Sequence, residues 1–218
     1  NGTKSCYRIL FKISLLIKRT SKSHIDKILS EKKNWKILDI GCGFNPNQYA
    51  TTICDVLDLK EHYSGKKFFK LNGDNLPFGD NEFDFVIASH VLEHVKDPTK
   101  FLNEISRVAN QGYIEVPTKL EDNLVFENKK AHLWHLTFDD VNQVINISKK
   151  VQFFEPILAV SSIKKLNNYF RDSLLLELHW ENTIEFKFNE NNQKYENISI
   201  LSLFKKYFSK KFRMLLKK

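Results

Sequence analysis

The stretch Trp35-Lys-Ile-Leu-Asp-Ile-Gly-Cys-Gly-Phe44 limits what this chain can fold into more than any other. A short apolar, β-branched run that stops at two glycines one residue apart reads as a buried parallel strand ending in a tight turn under a ligand. Gly41 and Gly43 have no Cβ. Each can take positive φ and leave open space above the strand's carboxyl end, where open α/β sheets bind their ligands. Any tight strand-to-loop turn could use such a pair, so the residues that follow decide between the two readings.

Downstream come Asp55, then Asn75-Leu-Pro-Phe78, then Phe83-Asp-Phe-Val-Ile-Ala-Ser-His-Val-Leu-Glu-His94. In motifs, order and spacing, the segment from about Trp35 to Val141 resembles class I S-adenosylmethionine-dependent methyltransferases. It is similar to those of surface-polysaccharide and glycan synthesis in its later His/Trp segment. The resemblance implies S-adenosyl-L-methionine as cofactor and an α/β, Rossmann-like fold: a seven-stranded, mostly parallel sheet with a C-terminal antiparallel hairpin and helices on both faces. It also implies a cofactor site of Asp39, Gly41, Cys42, Gly43, Asp55, Asn72, Gly73, Asp74, Ser89 and His90. Asp55 falls where the family's carboxylate binds both ribose hydroxyls, with Asp58 as the competing assignment. Asn72 stands where the family has an Asp that accepts from the adenine amino group, which leaves that role open between Asn72 and Asp74.

The local reading supplies elements for such a fold. Strands are expected over 35–40, 51–56, 68–71, 82–88, 111–116 and 151–154, with a hairpin over 174–188 turning near Glu181-Asn182. Only eleven residues separate Gly43 from Asp55, so the helix between the first two strands must be short or nearly absent. Asp97-Pro98 opens a clear helix, with Phe101, Leu102, Ile105 and Val108 along one face. Thr118 to Thr137 reads as one long functional loop. Asp139 and Asp140 are expected to start a helix containing Val141, Val144 and Ile145.

Composition bounds the rest. At 218 residues and 42% hydrophobic the chain suits one domain: a basic helical segment over 1–33, a catalytic core over 34–190 and a basic amphipathic helix over 198–218. The net charge of +8 is located at the ends, because residues 1–22 hold six Lys/Arg and residues 204–218 hold seven, with no acid in either. The middle is therefore mildly acidic, which makes a nucleic-acid partner unlike this chain. The ends are expected either to pack one face on the domain or to make peripheral membrane contact. Cys6, Cys42 and Cys54 are scattered and odd in number, which suits a cytoplasmic, reducing location. A first residue of Asn rather than Met fits processing or excision from a longer multidomain polypeptide.

The acceptor chemistry is sought in Ala131-His-Leu-Trp-His-Leu-Thr137. An alcohol is a poor nucleophile until its proton is taken, so a hydroxyl acceptor calls for a base. His135 is the first choice and His132 the second, with His94 and His90 behind them; Trp134 could stack on a sugar face. His-x-x-His with Asp139 is a weak metal pattern, and no metal is expected. The reading is thus an O-methyltransferase acting on a sugar hydroxyl of a surface glycan. The alternatives are an N- or carboxyl-methyltransferase of a small metabolite, or an inactive cofactor-binding scaffold.

Overall fold

The computed structural model describes residues 16–63, 65–73, 75–190 and 199–215. Its strands are β1 (Leu16–Arg19), β2 (Ile37–Ile40), β3 (Thr52–Asp55), β4 (Lys67–Lys70), β5 (Phe85–Ser89), β6 (Gln111–Pro117), β7 (Trp134–Asp139), β8 (Val144–Lys149), β9 (Leu175–Glu181) and β10 (Phe186–Phe188). Its helices are α1 (Lys22–Glu31), α2 (Pro98–Val108), α3 (Lys119–Leu124), α4 (Asn128–Ala131), α5 (Val160–Leu174) and α6 (Ile200–Leu215).

Every residue of β2 and β3 is buried, as strands covered on both faces require. The main sheet runs β1-β9-β6-β5-β2-β3-β4. Its central pairs are parallel, and β9 runs antiparallel to both β6 and β1. On one face α1 packs Ile25 and Leu29 against Ile37, Ile53, Phe85 and Ile87. On the other, α2 packs Phe101, Leu102 and Ile105 against Leu38, Ile40 and Val86. Asp97 caps α2 by accepting from the Lys100 N–H at 3.0 Å, with Pro98 at the first position. The sheet, its helices on both faces and the missing helix between β2 and β3 match the sequence reading.

Four expectations are corrected. The hairpin turns at Asn182 (φ 67°), but its arms part: β9 joins the main sheet, and β10 pairs parallel with β8 in a small sheet of order β10-β8-β7. No helix follows Asp139. Its carboxylate accepts from the N–H groups of Val141 and Asn142 (3.1 and 3.0 Å), and the chain turns back as the β7–β8 hairpin. Residues 118–137 are not one loop, since α3, α4 and the start of β7 occupy them. Residues 151–154 form no extended strand; β1 takes a place in the main sheet instead.

Within the front segment, residues 16–19 are strand and 22–31 helix. Residues 1–15 with Cys6, Asp74, and residues 191–193 of the polar loop lie outside the described residues. The tail does form a helix, but its apolar side is not covered: Phe204, Tyr207, Phe208, Phe212 and Met214 are 56–63% exposed.

Candidate active site

The turn after β2 has the geometry that two glycines permit. Gly41 sits at φ 66° and Gly43 at φ 50°. A Cβ on Gly41 would lie 2.5 Å from Val91 Cγ2, whereas one on Gly43 would meet only open space. The Gly41 N–H donates to the Cys54 carbonyl (2.8 Å), and the Gly43 N–H donates to Asp55 Oδ2 (2.9 Å). Asp55 also accepts from the Leu57 N–H at 2.8 Å, so this buried carboxylate holds the turn as well as offering its remaining lone pairs. Asp58 is instead exposed and 3.8 Å from the Lys70 ammonium.

Beside the turn lies a cavity of about 370 Å³ whose walls include Lys22, Asp26, Asp39, Gly41, Cys42 and Asn47, with Ser89, His90 and Tyr113 opposite. Five of the ten expected cofactor residues thus share one cavity: Asp39, Gly41, Cys42, Ser89 and His90. Gly43 and Asp55 stand just outside it at the turn. Phe44, Val56 and Leu57 are more than half exposed there, an apolar surface next to Asp55. Asn72 and Gly73 are exposed after β4. Lys22 and Asp26 escape sequence reasoning because they come from α1, which no motif links to the turn. Tyr113 could have been found from its place two residues before Glu115 on β6.

Burial pushes the Asp39 carboxyl up to about 6, against the Asn47 N–H that donates to it at 2.7 Å and against the Lys22 charge. A buried carboxyl with a raised pKa on a cavity wall is a ready partner for a cationic group. Burial, with the nearby Asp39 charge, also pushes the Cys42 thiol up to about 12, so it is an uncharged wall.

His90 ends β5 at φ 56°. Its Nε2 is 3.3 Å from Glu115 and its Nδ1 3.3 Å from Glu93. Partial burial disfavours its charge, yet the two carboxylates outweigh that and hold its pKa well above the ordinary value. It keeps its proton at neutral pH and is unfit as a base. Beneath it, Glu115 accepts from Ser89 Oγ (2.7 Å) and from the Tyr113 hydroxyl (2.6 Å), and Arg171 bridges Glu115 and Glu177.

The acceptor-side histidines converge on Asp122 of α3, which is 1% exposed. Its carboxylate accepts from His132 Nδ1 (2.6 Å) and Lys150 Nζ (2.9 Å) and stands 2.8 Å from His135 Nε2. His135 is 3% exposed, stacks on Phe153 and lines neither this second cavity nor the first. The preferred base of the sequence reading thus sits behind Asp122 as a support. His132 instead lines a second cavity of about 440 Å³, with Trp134, Lys129, Lys149, Lys150 and Gln152. His94 meets His132 edge to face at 4.5 Å between ring centres. Two bonds lock the segments together: the Leu133 N–H to the Glu93 carbonyl and Trp134 Nε1 to the Val95 carbonyl, each 2.8 Å. Asp122 and Glu93 are neighbours of these histidines that sequence reasoning missed, because only the fold brings α3 and the turn after β5 to them.

Similarity to known proteins is concentrated in the first half of the chain. Residues 38–114 match the methyltransferase domain. That span runs from β2 through β6 and includes the glycine turn, Asp55, Ser89 and His90. The cofactor of this site is S-adenosylmethionine, and the turn, the Asp39 wall and the open space over Gly43 fit it. An uncharacterized protein of Methanocaldococcus jannaschii is 36% identical over 55% of this chain and 52% of its own length. The ajmaline N-methyltransferase of Rauvolfia serpentina is 30% identical over 38% of this chain and 35% of its own. The chain thus spans about half or less of the length of these curated relatives. Among solved structures, a SAM-dependent methyltransferase of Aquifex aeolicus aligns with 75% of this chain and 94% of its own, at 14% identity and a TM-score of 0.38.

Proposed function

We propose that the chain transfers the methyl group of S-adenosylmethionine to a hydroxyl, on a sugar of a surface glycan or polysaccharide. The bound cofactor supplies a methyl on a sulfonium, already activated for in-line displacement, so the protein's tasks are to align the acceptor and to take its proton. Asp39 and the turn at Gly41 and Gly43 would hold the cofactor, with Asp55 at its ribose. The observation that carries the hydroxyl reading is the His94–His132 pair. The Nδ1 of each ring meets a fixed oxygen, the Ala131 carbonyl for His94 (3.0 Å) and Asp122 for His132. An oxygen of that kind accepts, so each Nδ1 carries the proton and each Nε2 keeps a basic lone pair. Trp134 and the cationic rim of the second cavity support a polar, ring-shaped acceptor beside them.

We therefore assign acceptor deprotonation to His94 and His132 rather than to His135. Curated relatives include N-, C- and O-methyltransferases by name, so the choice of oxygen rests on these imidazoles. His132→Ala should lower turnover about a hundredfold or more with cofactor affinity unchanged, since general-base help is worth 10²–10⁴. Undiminished turnover in that variant would defeat the assignment and favour a nitrogen acceptor.

The same reading puts α6 on a negatively charged bilayer surface. Its exposed Phe204, Tyr207, Phe208, Phe212 and Met214 alternate with Lys205, Lys206, Lys210, Lys211 and Arg213, the make-up of a helix lying at an anionic interface. Among the described residues no helix is long and apolar enough to cross a membrane. We place the reaction at the cytoplasmic side, where Cys42 and Cys54 remain free thiols.

A further inference from the structure

Glu93 has a side chain with no exposure, and neither carboxylate oxygen makes a hydrogen bond; among the described residues its ion-pair contact is with His90 Nδ1 at 3.3 Å. The protonated His90 stands against one oxygen only, so the other is buried without a polar partner, an unfavourable state for a carboxylate. Next to it stand His94 and His132. One oxygen of Glu93 and one ring nitrogen of each histidine all lie within 4.8 Å of one another.

We propose that Glu93, His94 and His132 bind a first-row divalent cation, of which zinc is the representative. Both imidazoles are already oriented as ligands are: Nδ1 is bonded to a second oxygen, a backbone carbonyl for His94 and the Asp122 carboxylate for His132, which leaves Nε2 for the ion. Two imidazoles and one carboxylate are the donor set of open catalytic sites, in which further positions stay free for water or substrate. The small closure needed to bring three donors to about 2.0–2.2 Å from one ion is within the reach of side chains. His94 is exposed, so the ion has an entry, and two hydrogen bonds fix the backbone of the two segments to each other. Glu121 is a further carboxyl nearby. Its buried carboxyl is pushed up to about 7, by burial first and by Glu115, Glu93 and Asp122 next, with His90 opposing. His90 is the one positive group facing Glu93 and competes with the ion for a single oxygen.

The role of this ion rests on the hydroxyl reading, although the site itself does not. An acceptor hydroxyl bound to the open position is acidified. Its O–H bond breaks and the proton leaves to solvent. A C–O bond then forms to the methyl carbon as the C–S bond of the sulfonium breaks, and a neutral thioether departs. With the cation bound, the Nε2 lone pairs of His94 and His132 are occupied, so the ion and not the imidazoles promotes loss of the proton.

The test is titration of the chelator-stripped full chain with zinc chloride by calorimetry, repeated with cobalt(II) and followed by its visible absorption. One equivalent should bind. Glu93→Gln and His132→Ala should each weaken binding at least about tenfold to a hundredfold. His62→Ala, an imidazole remote from the cluster, should change nothing. Circular dichroism of the conservative Glu93→Gln variant separates lost ligation from lost folding. Failure of the folded wild type to bind zinc or cobalt, or binding indifferent to Glu93→Gln and His132→Ala, overturns the site. Binding that is confirmed while chelation leaves methyl transfer unchanged overturns its catalytic role alone.

Discussion

Replacing Asp122 by Ala should destabilise the protein by about 3–5 kcal/mol, because it strips a buried carboxylate from partners that stay buried. The side chains of His132, His135 and Lys150 are 6, 2 and 8% exposed, so water cannot replace what they lose. The Lys150 ammonium retains the Asn128 carbonyl, which places the cost toward the lower end of that range. For a chain of this size the midpoint of thermal unfolding should fall by roughly 6–20 °C. Asp122→Asn keeps one acceptor but turns an amide N–H toward a donor, and should cost about 1–3 kcal/mol. pH gives the second axis. Burial alone would raise the Asp122 carboxyl, but the hydrogen bonds from His132 and Lys150, with His135 close by, outweigh it and hold it well below the usual 3.8. A carboxyl depressed in the folded state stabilises fully above its unfolded value and loses that contribution as pH falls toward the folded one. The gap between wild type and Asp122→Ala should therefore be full at pH 7 and shrink below about pH 4. Urea unfolding at several pH values measures both. A loss under about 1 kcal/mol for Asp122→Ala at pH 7, or a gap that widens in acid, would refute the reasoning.

Gly41→Ala should abolish cofactor binding and lower stability, since its φ of 66° strains any side chain and the Cβ would meet Val91 at 2.5 Å; a folded variant with normal affinity in calorimetry would contradict the turn geometry. With Asp39 raised to about 6, affinity for S-adenosylmethionine should fall about tenfold per pH unit below that value, because a protonated carboxyl cannot pair the cofactor's ammonium. A flat profile between pH 5 and 7 would remove Asp39 from that role. Deleting residues 199–218 should end binding to anionic vesicles at low salt and leave the melting temperature nearly unchanged; a large loss of stability would show that α6 packs on the domain.

The central sheet was legible because β2, β3, β5 and β6 are largely buried runs, each bounded by a turn or helix start, while β4 is a short edge strand with exposed lysines. What failed was local pattern without that context. Val141, Val144 and Ile145 have helical spacing, yet Val144-Ile-Asn-Ile-Ser-Lys149 is a β-branched run, and the bonds that the Asp139 carboxylate accepts from the Val141 and Asn142 N–H groups turn the chain. β1 is four residues with a basic end, LIKR, and gains its place only by pairing with β9. The site divides likewise. Gly41, Asp39 and Ser89 sit within motifs, and the structure brings them to one cavity. Glu93 and Asp122 carry no local signal, since a buried carboxylate is recognised only once its neighbours are known. His135 is the first choice on the reading of 118–137 as one functional loop facing the acceptor; as the second residue of β7 it is instead buried.

The account rests most directly on the fate of the methyl group. Incubating the chain with S-adenosylmethionine carrying a ¹³C methyl, and with glycosides, small amines and RNA in parallel, lets the methyl carbon shift distinguish oxygen, nitrogen and carbon acceptors. The account predicts an O-methyl signal on a glycoside that disappears in His132→Ala. A methyl appearing on nitrogen or carbon, or no transfer by protein shown to bind the cofactor, would contradict it.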